Sequence, residues 1–258
     1  MNRFYNFLYK LFTGQQFESK KESETARGLI KKIRPYTMLP VARLISLYTQ
    51  VKYCEQNNVK GDYMECGVWK GGAVGLMALT NQLYGIKRRN LFLFDSFDDI
   101  CPPDPKIDGF RAMQDVLRYT DKTVLQELKS NPTKPLKGFY DSFSGKGTLS
   151  QNKKLLLNQI KYDKKYVHFY KGWFEKTMPK ASKNVNRLAI LRIDADWYKS
   201  VYICLKYFYP KVVKGGFIVI DDYGYYEGCT KAVKQYFAEH NIHLYPNNID
   251  SGSVYFIK

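Results

Sequence analysis

Two apolar runs in the second half of the chain end on carboxylates. Ala189-Ile190-Leu191-Arg192-Ile193 stops at Asp194-Ala195-Asp196, and Gly215-Gly216-Phe217-Ile218-Val219-Ile220 stops at Asp221-Asp222. Each run reads as a buried strand. In an open parallel sheet, ligands bind in the crevice beyond the carboxyl ends of neighbouring strands. Carboxylates gathered there form a hard, oxygen-rich site suited to Mg²⁺ or Ca²⁺. A single Asp after a strand more commonly caps the helix that follows. An Asp-x-Asp and an Asp-Asp, each closing a strand and separated by one helix, favour metal or catalytic use.

A second constellation lies nearer the N-terminus. The run from Tyr63 to Val68 passes into Glu65-Cys66-Gly67-Val68-Trp69-Lys70-Gly71-Gly72, where a helix starts. Glycines there, Gly67 and Gly71 among them, let the backbone turn tightly and approach a ligand at the helix N-terminus. The dinucleotide fingerprint Gly-x-Gly-x-x-Gly is absent, because Glu65 stands where its first glycine belongs. That carboxylate repels a pyrophosphate and attracts a ligand with a cationic end. The Walker loop is absent too: around Gly145-Lys146, Tyr140 replaces the leading glycine and Gly147 the Ser/Thr. The next run, Leu91 to Phe94, ends at Asp95, placed to accept hydrogen bonds from both hydroxyls of a ribose. A glycine turn with an acid, a ribose-binding Asp and no phosphate grip favour S-adenosylmethionine over NAD or ATP.

These residues need a scaffold that brings strand ends together. Candidate strands are Tyr63 to Val68, Leu91 to Phe94, Tyr166 to Tyr170, Leu188 to Ile193, Phe217 to Ile220, Ile242 to Tyr245 and Ser253 to Ile257. Helices start near Gly72, Leu149, Phe174, Lys199 and Gly228, and Tyr36 to Asn58 carries apolar residues at helical spacing. This alternation predicts an α/β protein with a doubly wound, mostly parallel sheet and helices on both faces. The loop between the last two strands is too short for a crossover, so they form an antiparallel hairpin at the end of the sheet. Residues 1–33 read as an N-terminal helical arm and 34–258 as the main domain, with a Pro-rich lid or insertion over about 100–147. In the arm, Phe4, Phe7, Leu8, Leu11 and Phe12 suggest a short amphipathic helix that packs on its own domain or on a sister subunit of a homo-oligomer. Lys20 to Lys32 reads as a solvated helix or linker.

Composition narrows the classes further. A hydrophobic fraction of 45% fits a globular chain. No apolar run approaches the ~18 residues of a membrane span, and Met1 to Phe12 lacks the continuous core of a secretory signal. Five scattered cysteines without a Cys-x-x-Cys pair point to a reducing, cytoplasmic setting. The formal charge of +17 is spread along the chain, which suits a Lys-, Asn- and Tyr-rich composition bias. An anionic glycan, nucleotide sugar or membrane surface is the next reading. Nucleic acid is not expected, since no finger, basic zipper or RNA-binding aromatic signature accompanies the charge.

The chain resembles the macrocin O-methyltransferase family, metal-dependent class I enzymes that methylate sugar hydroxyls. The matching segments are Arg34-Pro35-Tyr36-Thr37-Met38, Glu65 to Gly72, Asp95-Ser96-Phe97, Lys171-Gly172-Trp173-Phe174 with Thr177-Met178-Pro179, Leu191 to Tyr198, and Ile220-Asp221-Asp222-Tyr223. They fall in family order over residues 34–258. The resemblance implies a Rossmann-like fold with a seven-stranded sheet and S-adenosylmethionine over the first two strand ends. Glu65 would lie near the methionine amino group and Gly67 under the cofactor. Asp95 and Ser96 would hold the ribose, and Thr37 and Met38 would close over it. Gly71, Gly172, Trp173 and Phe174 complete the cofactor set; the two aromatics are read either as flanking the adenine or as core residues. Asp194, Asp221 and Asp222 fall on the metal positions, for Mg²⁺ with Ca²⁺ or Mn²⁺ as alternatives. Asp196, with Asp194, is assigned to catalysis. The 100–147 stretch departs most from the family pattern.

The expected reaction is transfer of a methyl group to a sugar hydroxyl, with a sugar or glycoside, neutral or anionic, as acceptor. A catechol-type phenol is the runner-up acceptor, since vicinal oxygens obey the same metal logic. A same-fold binding protein without turnover and an NAD-linked oxidoreductase are the competing classes, the second disfavoured by Glu65. His168 is expected to be structural, and His240 and His243 exposed. Tyr223, Tyr225 and Tyr226 are placed to line an acceptor pocket.

Overall fold

Alternate residues of the central strands face opposite helical layers, and this alternation builds the domain. In β2 (Leu91–Asp95), Leu91 and Leu93 join one core while Phe92 and Phe94 join the other. The computed structural model describes residues 19–120, 126 and 134–258. The expected amphipathic helix of Phe4 to Phe12 lies outside the described residues.

In chain order the elements that matter for the site are α1 (Lys20–Ile33), α2 (Val41–Gln56), β1 (Asp62–Cys66), α3 (Gly72–Tyr84), β2, α4 (Gly109–Tyr119), α5 (Leu149–Lys153), β3 (Val167–Lys171), α6 (Phe174–Ala181), β4 (Leu188–Ile193), α7 (Tyr198–Phe208), β5 (Val212–Ile220), α8 (Glu227–Glu239), β6 (Asn247–Asp250) and β7 (Ser253–Ile257). The strands form one seven-stranded sheet in the order β3-β2-β1-β4-β5-β7-β6. β3, β2, β1, β4 and β5 run parallel, and β7 pairs antiparallel with both β5 and β6. The order reverses between β1 and β4, so the topological switch point, where open α/β sheets bind ligands, falls there.

One layer is α1, α2 and α3, packed through Ile30, Ile45, Tyr48, Val51, Val74 and Met77 on Tyr63, Leu91 and Ile190. The other is α6, α7 and α8, packed through Met178, Leu205, Val233 and Phe237 on Met64, Phe94, Leu191 and Ile218. Burial of each large apolar side chain contributes about 1.5–3 kcal/mol, so both layers hold the sheet firmly.

Two expectations change. The stretch Lys20 to Lys32, expected to be solvated, is a helix with one buried face: Ala26, Ile30 and Ile33 sit in the core, and Lys52 pairs with Glu22 at 2.6 Å. Its apolar residues recur at helical spacing inside a charged segment, and the charges occupy the other face. The strand expected at Ile242 to Tyr245 does not form, and Ile242 and Leu244 pack partly against the core. The hairpin instead uses Asn247–Asp250, because it turns at Ser251-Gly252, where Asp250 Oδ1 accepts the Gly252 N–H at 2.9 Å. Pro246, without an N–H, stands just outside the ladder. The lid region also holds a helix, α4, packed against α8, and a satellite cluster of Val116, Leu136 and Phe139. No helix among the described residues is long and apolar enough to cross a membrane. All five cysteines are free.

Candidate active site

Backbone hydrogen bonds lace the ends of the five parallel strands in series. Gly172 N donates to Asp95 O (2.9 Å), Gly67 N to Phe94 O (2.9 Å), Asp194 N to Cys66 O (2.8 Å) and Asp221 N to Ile193 O (2.9 Å). Gly67, Asp95, Gly172, Asp194 and Asp221 therefore stand along one edge by ladder register alone. Gly67 is required twice over: its φ is +83°, and a Cβ there would collide with the Asp194 carbonyl oxygen. Three non-glycine residues on the loops leaving this edge also adopt left-handed conformations: Trp69 (φ 47°), Phe97 (φ 50°) and Asp196 (φ 54°). Such backbone costs roughly 1–3 kcal/mol per residue and gathers where function over-determines it.

A cavity of about 790 Å³ opens beyond this edge. It brings together eight of the expected residues: Gly67, Asp95, Ser96, Gly172, Trp173, Phe174, Asp194 and Asp196. Its outer wall is the insertion, from Ile100 to Asp108 with Tyr140 and Gly147. That wall is tied down: Asp108 Oδ1 accepts the Tyr198 N–H at 2.6 Å, Trp197 Nε1 donates to Cys101 O at 2.8 Å, and Lys146 pairs with Asp98 and Asp99.

Thr37, Met38, Glu65, Gly71, Asp221 and Asp222 do not line this cavity. Thr37 lies against Gly72 at the start of α3, and Met38 is exposed. Gly71 is the left-handed cap of α3, beside Asn152, whose side chain donates to Trp69 O at 2.8 Å. Asp95 has a second task that the sequence did not reveal. Its Oδ2 accepts the N–H groups of Val68 (2.6 Å) and Trp69 (3.0 Å), and its Oδ1 that of Phe97 (2.6 Å). It thus holds the glycine turn in shape while facing the cavity. Burial raises its pKa, against these three hydrogen bonds.

Behind the cavity lies a dense charge cluster. One ligand oxygen from each of Asp194, Asp221 and Asp222 falls within 4.8 Å of the others. Arg192, 2% exposed, runs beneath them: its Nη1 donates to Glu65 Oε1 and to Asp194 Oδ2 (3.0 Å), its Nη2 to Asp221 Oδ1 (2.6 Å). Arg43, from α2, donates to Asp221 Oδ2 at 2.7 Å and to Asp250. Two buried carboxylate oxygens have no partner among the described residues: Glu65 Oε2 and Asp222 Oδ2. Crowding and burial shift these carboxylates. Burial, then Asp221, pushes Asp194 up to about 6 against the pull of Arg192. Burial lifts Glu65 to about 8, Arg192 opposing. Asp196 and Asp222 are driven well above the carboxylate range by burial and by their acidic neighbours.

Sequence alone does not reveal the place of Arg192 and Arg43 in the cluster, or of Asp108 and Tyr140 in the cavity wall. Arg192 had a signal: an Arg within Leu188-Ala189-Ile190-Leu191-Arg192-Ile193 must be paired if that strand is buried. His168 is structural, as expected, bonded through Nε2 to Asn90 Oδ1 at 2.8 Å and stacked on Phe92. His240 and His243 are exposed. Tyr223 packs on Phe256, whereas Tyr225 and Tyr226 line a separate groove beside the Asp pair.

Comparison with known proteins bears on this site. The profile of the family described as macrocin-O-methyltransferase (TylF) matches residues 4–131 and 152–258. The chain is 32% identical over 224 residues to a demethyldecarbamoylnovobiocin O-methyltransferase of Streptomyces niveus, covering 85% of this chain and 74% of that protein. It is 32% identical over 227 residues to a mycinamicin III 3''-O-methyltransferase of Micromonospora griseorubida, covering 85% and 77%. Among solved structures, the O-methyltransferase NovP superposes with a TM-score of 0.67 at 27% identity, covering 99% of this chain and 98% of that one.

Proposed function

The chain belongs to the macrocin O-methyltransferase family, and on that premise we propose that it transfers a methyl group from S-adenosylmethionine to a sugar hydroxyl, assisted by Mg²⁺. Its fold is the Rossmann-like fold of class I methyltransferases. The observation that carries the reading is the meeting, at the β1/β4 switch point, of a cavity lined by Asp194 and Asp196 with the cluster of Asp194, Asp221 and Asp222.

The residues fit both groups. The bare, buried Glu65 Oε2 suits an ammonium donor, the end that S-adenosylmethionine carries. Asp95 and Ser96 face the cavity where a ribose would lie, and Trp173 and Phe174 offer flanking surfaces for an adenine. For the cation, Asp194, Asp221 and Asp222 converge, and Asp222 Oδ2 lacks any other partner. Asp221 already serves two guanidiniums, but a carboxylate has about four lone-pair sites and keeps capacity for more. When bound, the cation would act as a Lewis acid that lowers the pKa of an acceptor oxygen.

The chain's own residues supply the rest. The cavity walls would position an acceptor against the cofactor, and positioning of this kind removes much of a methyl-transfer barrier. Asp196, held at the cavity rim by a left-handed backbone, takes the acceptor proton on its carboxylate. The insertion, pinned through Asp108 and Trp197, walls the outer side of the cavity.

Calorimetry with S-adenosylmethionine, paired with methyl-transfer assays on a panel of sugars and catechols with and without EDTA, tests this reading. Micromolar cofactor binding and EDTA-sensitive methylation of a sugar support it. Methylation of catechol alone would move the acceptor class, and absence of cofactor binding would overturn the assignment.

A further inference from the structure

A second concavity, a groove of about 1010 Å³, runs between α4 and α8. It begins where the carboxylate cluster ends: the N–H groups of Tyr225 and Tyr226 both donate to Asp222 O at 3.1 Å. Tyr226 forms the inner wall, packed on Trp197 with ring centroids 4.9 Å apart, and its hydroxyl is held by Asp115 at 2.9 Å. The groove therefore adjoins the carboxylate cluster on its Asp222 side, with Tyr226 and Trp197 standing between it and the cavity that Asp196 lines.

The groove is cationic. Arg111, Lys231 and Lys234 line it, and none of them forms an ion pair among the described residues. Arg111 lies 4.7 Å over the Tyr225 ring, which orients the guanidinium without neutralising it. Two carboxylates stand at it: Glu227, which lies against Gly109 at the start of α4, and Asp115, whose Oδ2 accepts from the hydroxyls of Tyr225 (3.3 Å) and Tyr226 (2.9 Å). Two aromatic surfaces stand open beside these charges: Phe110 is 72% exposed and Tyr225 39%. Lys231 lies 5.9 Å over the Tyr198 ring, and three cations without a carboxylate partner among the described residues, beside aromatic faces, suit a ligand that carries phosphates and a planar ring.

We propose that this groove binds the diphosphate and base of a nucleoside-diphosphate sugar, so that the acceptor is the activated sugar before its transfer and not a finished neutral glycoside. The inference rests on the sugar O-methyltransferase reading above and specifies its substrate class. It also sets the order of reactions: a glycosyl transfer that releases the nucleotide must follow methylation.

The test is calorimetry on the full chain with UDP, inorganic pyrophosphate and farnesyl diphosphate as probes, run beside S-adenosylmethionine. UDP should bind, more tightly than pyrophosphate and more weakly as salt is raised. In Lys231→Glu/Lys234→Glu and in Arg111→Gln, UDP affinity should fall about tenfold or more, with S-adenosylmethionine affinity within about twofold. The charge-removing pair Lys231→Ala/Lys234→Ala should show the same direction, and all these positions are exposed, so folding is preserved. Absent UDP binding, unchanged affinity in the variants, or tighter binding of farnesyl diphosphate than UDP would each overturn the proposal. A wild-type chain that binds UDP but not S-adenosylmethionine would keep the groove and sink the methyl-transfer reading instead.

Discussion

Arg192→Met is the most informative single change in the cluster. The guanidinium is 2% exposed and holds Glu65, Asp194 and Asp221, of which Glu65 and Asp221 are themselves 1% and 3% exposed. Removing one member of a buried ionic set leaves uncompensated charge and costs about 3–5 kcal/mol. The lower end applies here for two reasons. Asp221 keeps Arg43 at 2.7 Å, and Glu65, already lifted to about 8, takes up a proton readily. A loss of about 3 kcal/mol, at roughly 2–4 °C per kcal/mol for a chain of this size, lowers Tm by about 6–12 °C. Urea unfolding and calorimetry on the wild-type and variant chains read both numbers.

The cycle with Glu65→Met separates pairing from packing. If Arg192 and Glu65 hold one another, the second substitution costs less in the Arg192→Met background than in the wild type, because the stranded carboxylate is gone. A loss below about 1 kcal/mol for Arg192→Met, or equal costs of Glu65→Met in both backgrounds, would refute the view that this guanidinium organises the cluster.

Three further outcomes are expected. Asp222→Ala should lower EDTA-sensitive turnover by about 100-fold or more, since even outer-shell partners of a metal are worth ~10–100-fold, with S-adenosylmethionine affinity within severalfold; full turnover of this variant in EDTA would remove the metal from the scheme. Asp95→Ala releases three backbone N–H groups from a carboxylate, each bond worth roughly 1.5–3 kcal/mol, so cofactor affinity measured by calorimetry should fall by about tenfold or more; unchanged affinity would mean the turn holds its shape without Asp95. Burial lowers the pKa of His168, so the folded chain resists protonating it: stability is complete above the ordinary histidine range and is lost as pH falls through the folded value. The urea midpoint should therefore drop less between pH 7.5 and 5 in His168→Gln, and matching slopes would clear His168 of any part.

Much of the fold could be read from strand-end chemistry. β1, β2 and β4 announce themselves because each apolar run closes on Gly67, Asp95 or Asp194, and short connections force the parallel windings between them. The errors fall where the local pattern is ambiguous. Ile242 to Tyr245 has strand-like residues, yet the turn at Ser251-Gly252 fixes which residues can pair with β7, and they are Asn247–Asp250. Helix α4 sits among prolines and charged residues, and its stability comes from α8 and the satellite cluster, which no local window displays.

The acids were legible and the arginines were not, and the reason is strand order. Glu65 and Arg192 are direct neighbours in the β1/β4 register, but they lie far apart in sequence and become adjacent only once β4 inserts beside β1. Arg43 reaches Asp221 from a helix across the sheet edge, with no spacing rule to reveal it. This pairing also ranks the metal candidates. Both oxygens of Asp221 accept from a guanidinium and one oxygen of Asp194 does. Of these three aspartates, Asp222 is the one with a buried oxygen that has no partner among the described residues. A cation entering the cluster gains most from the carboxylate with the least prior neutralisation, so Asp222 carries the largest share of its binding, and the loss of Asp222 should cost more metal affinity than the loss of Asp221.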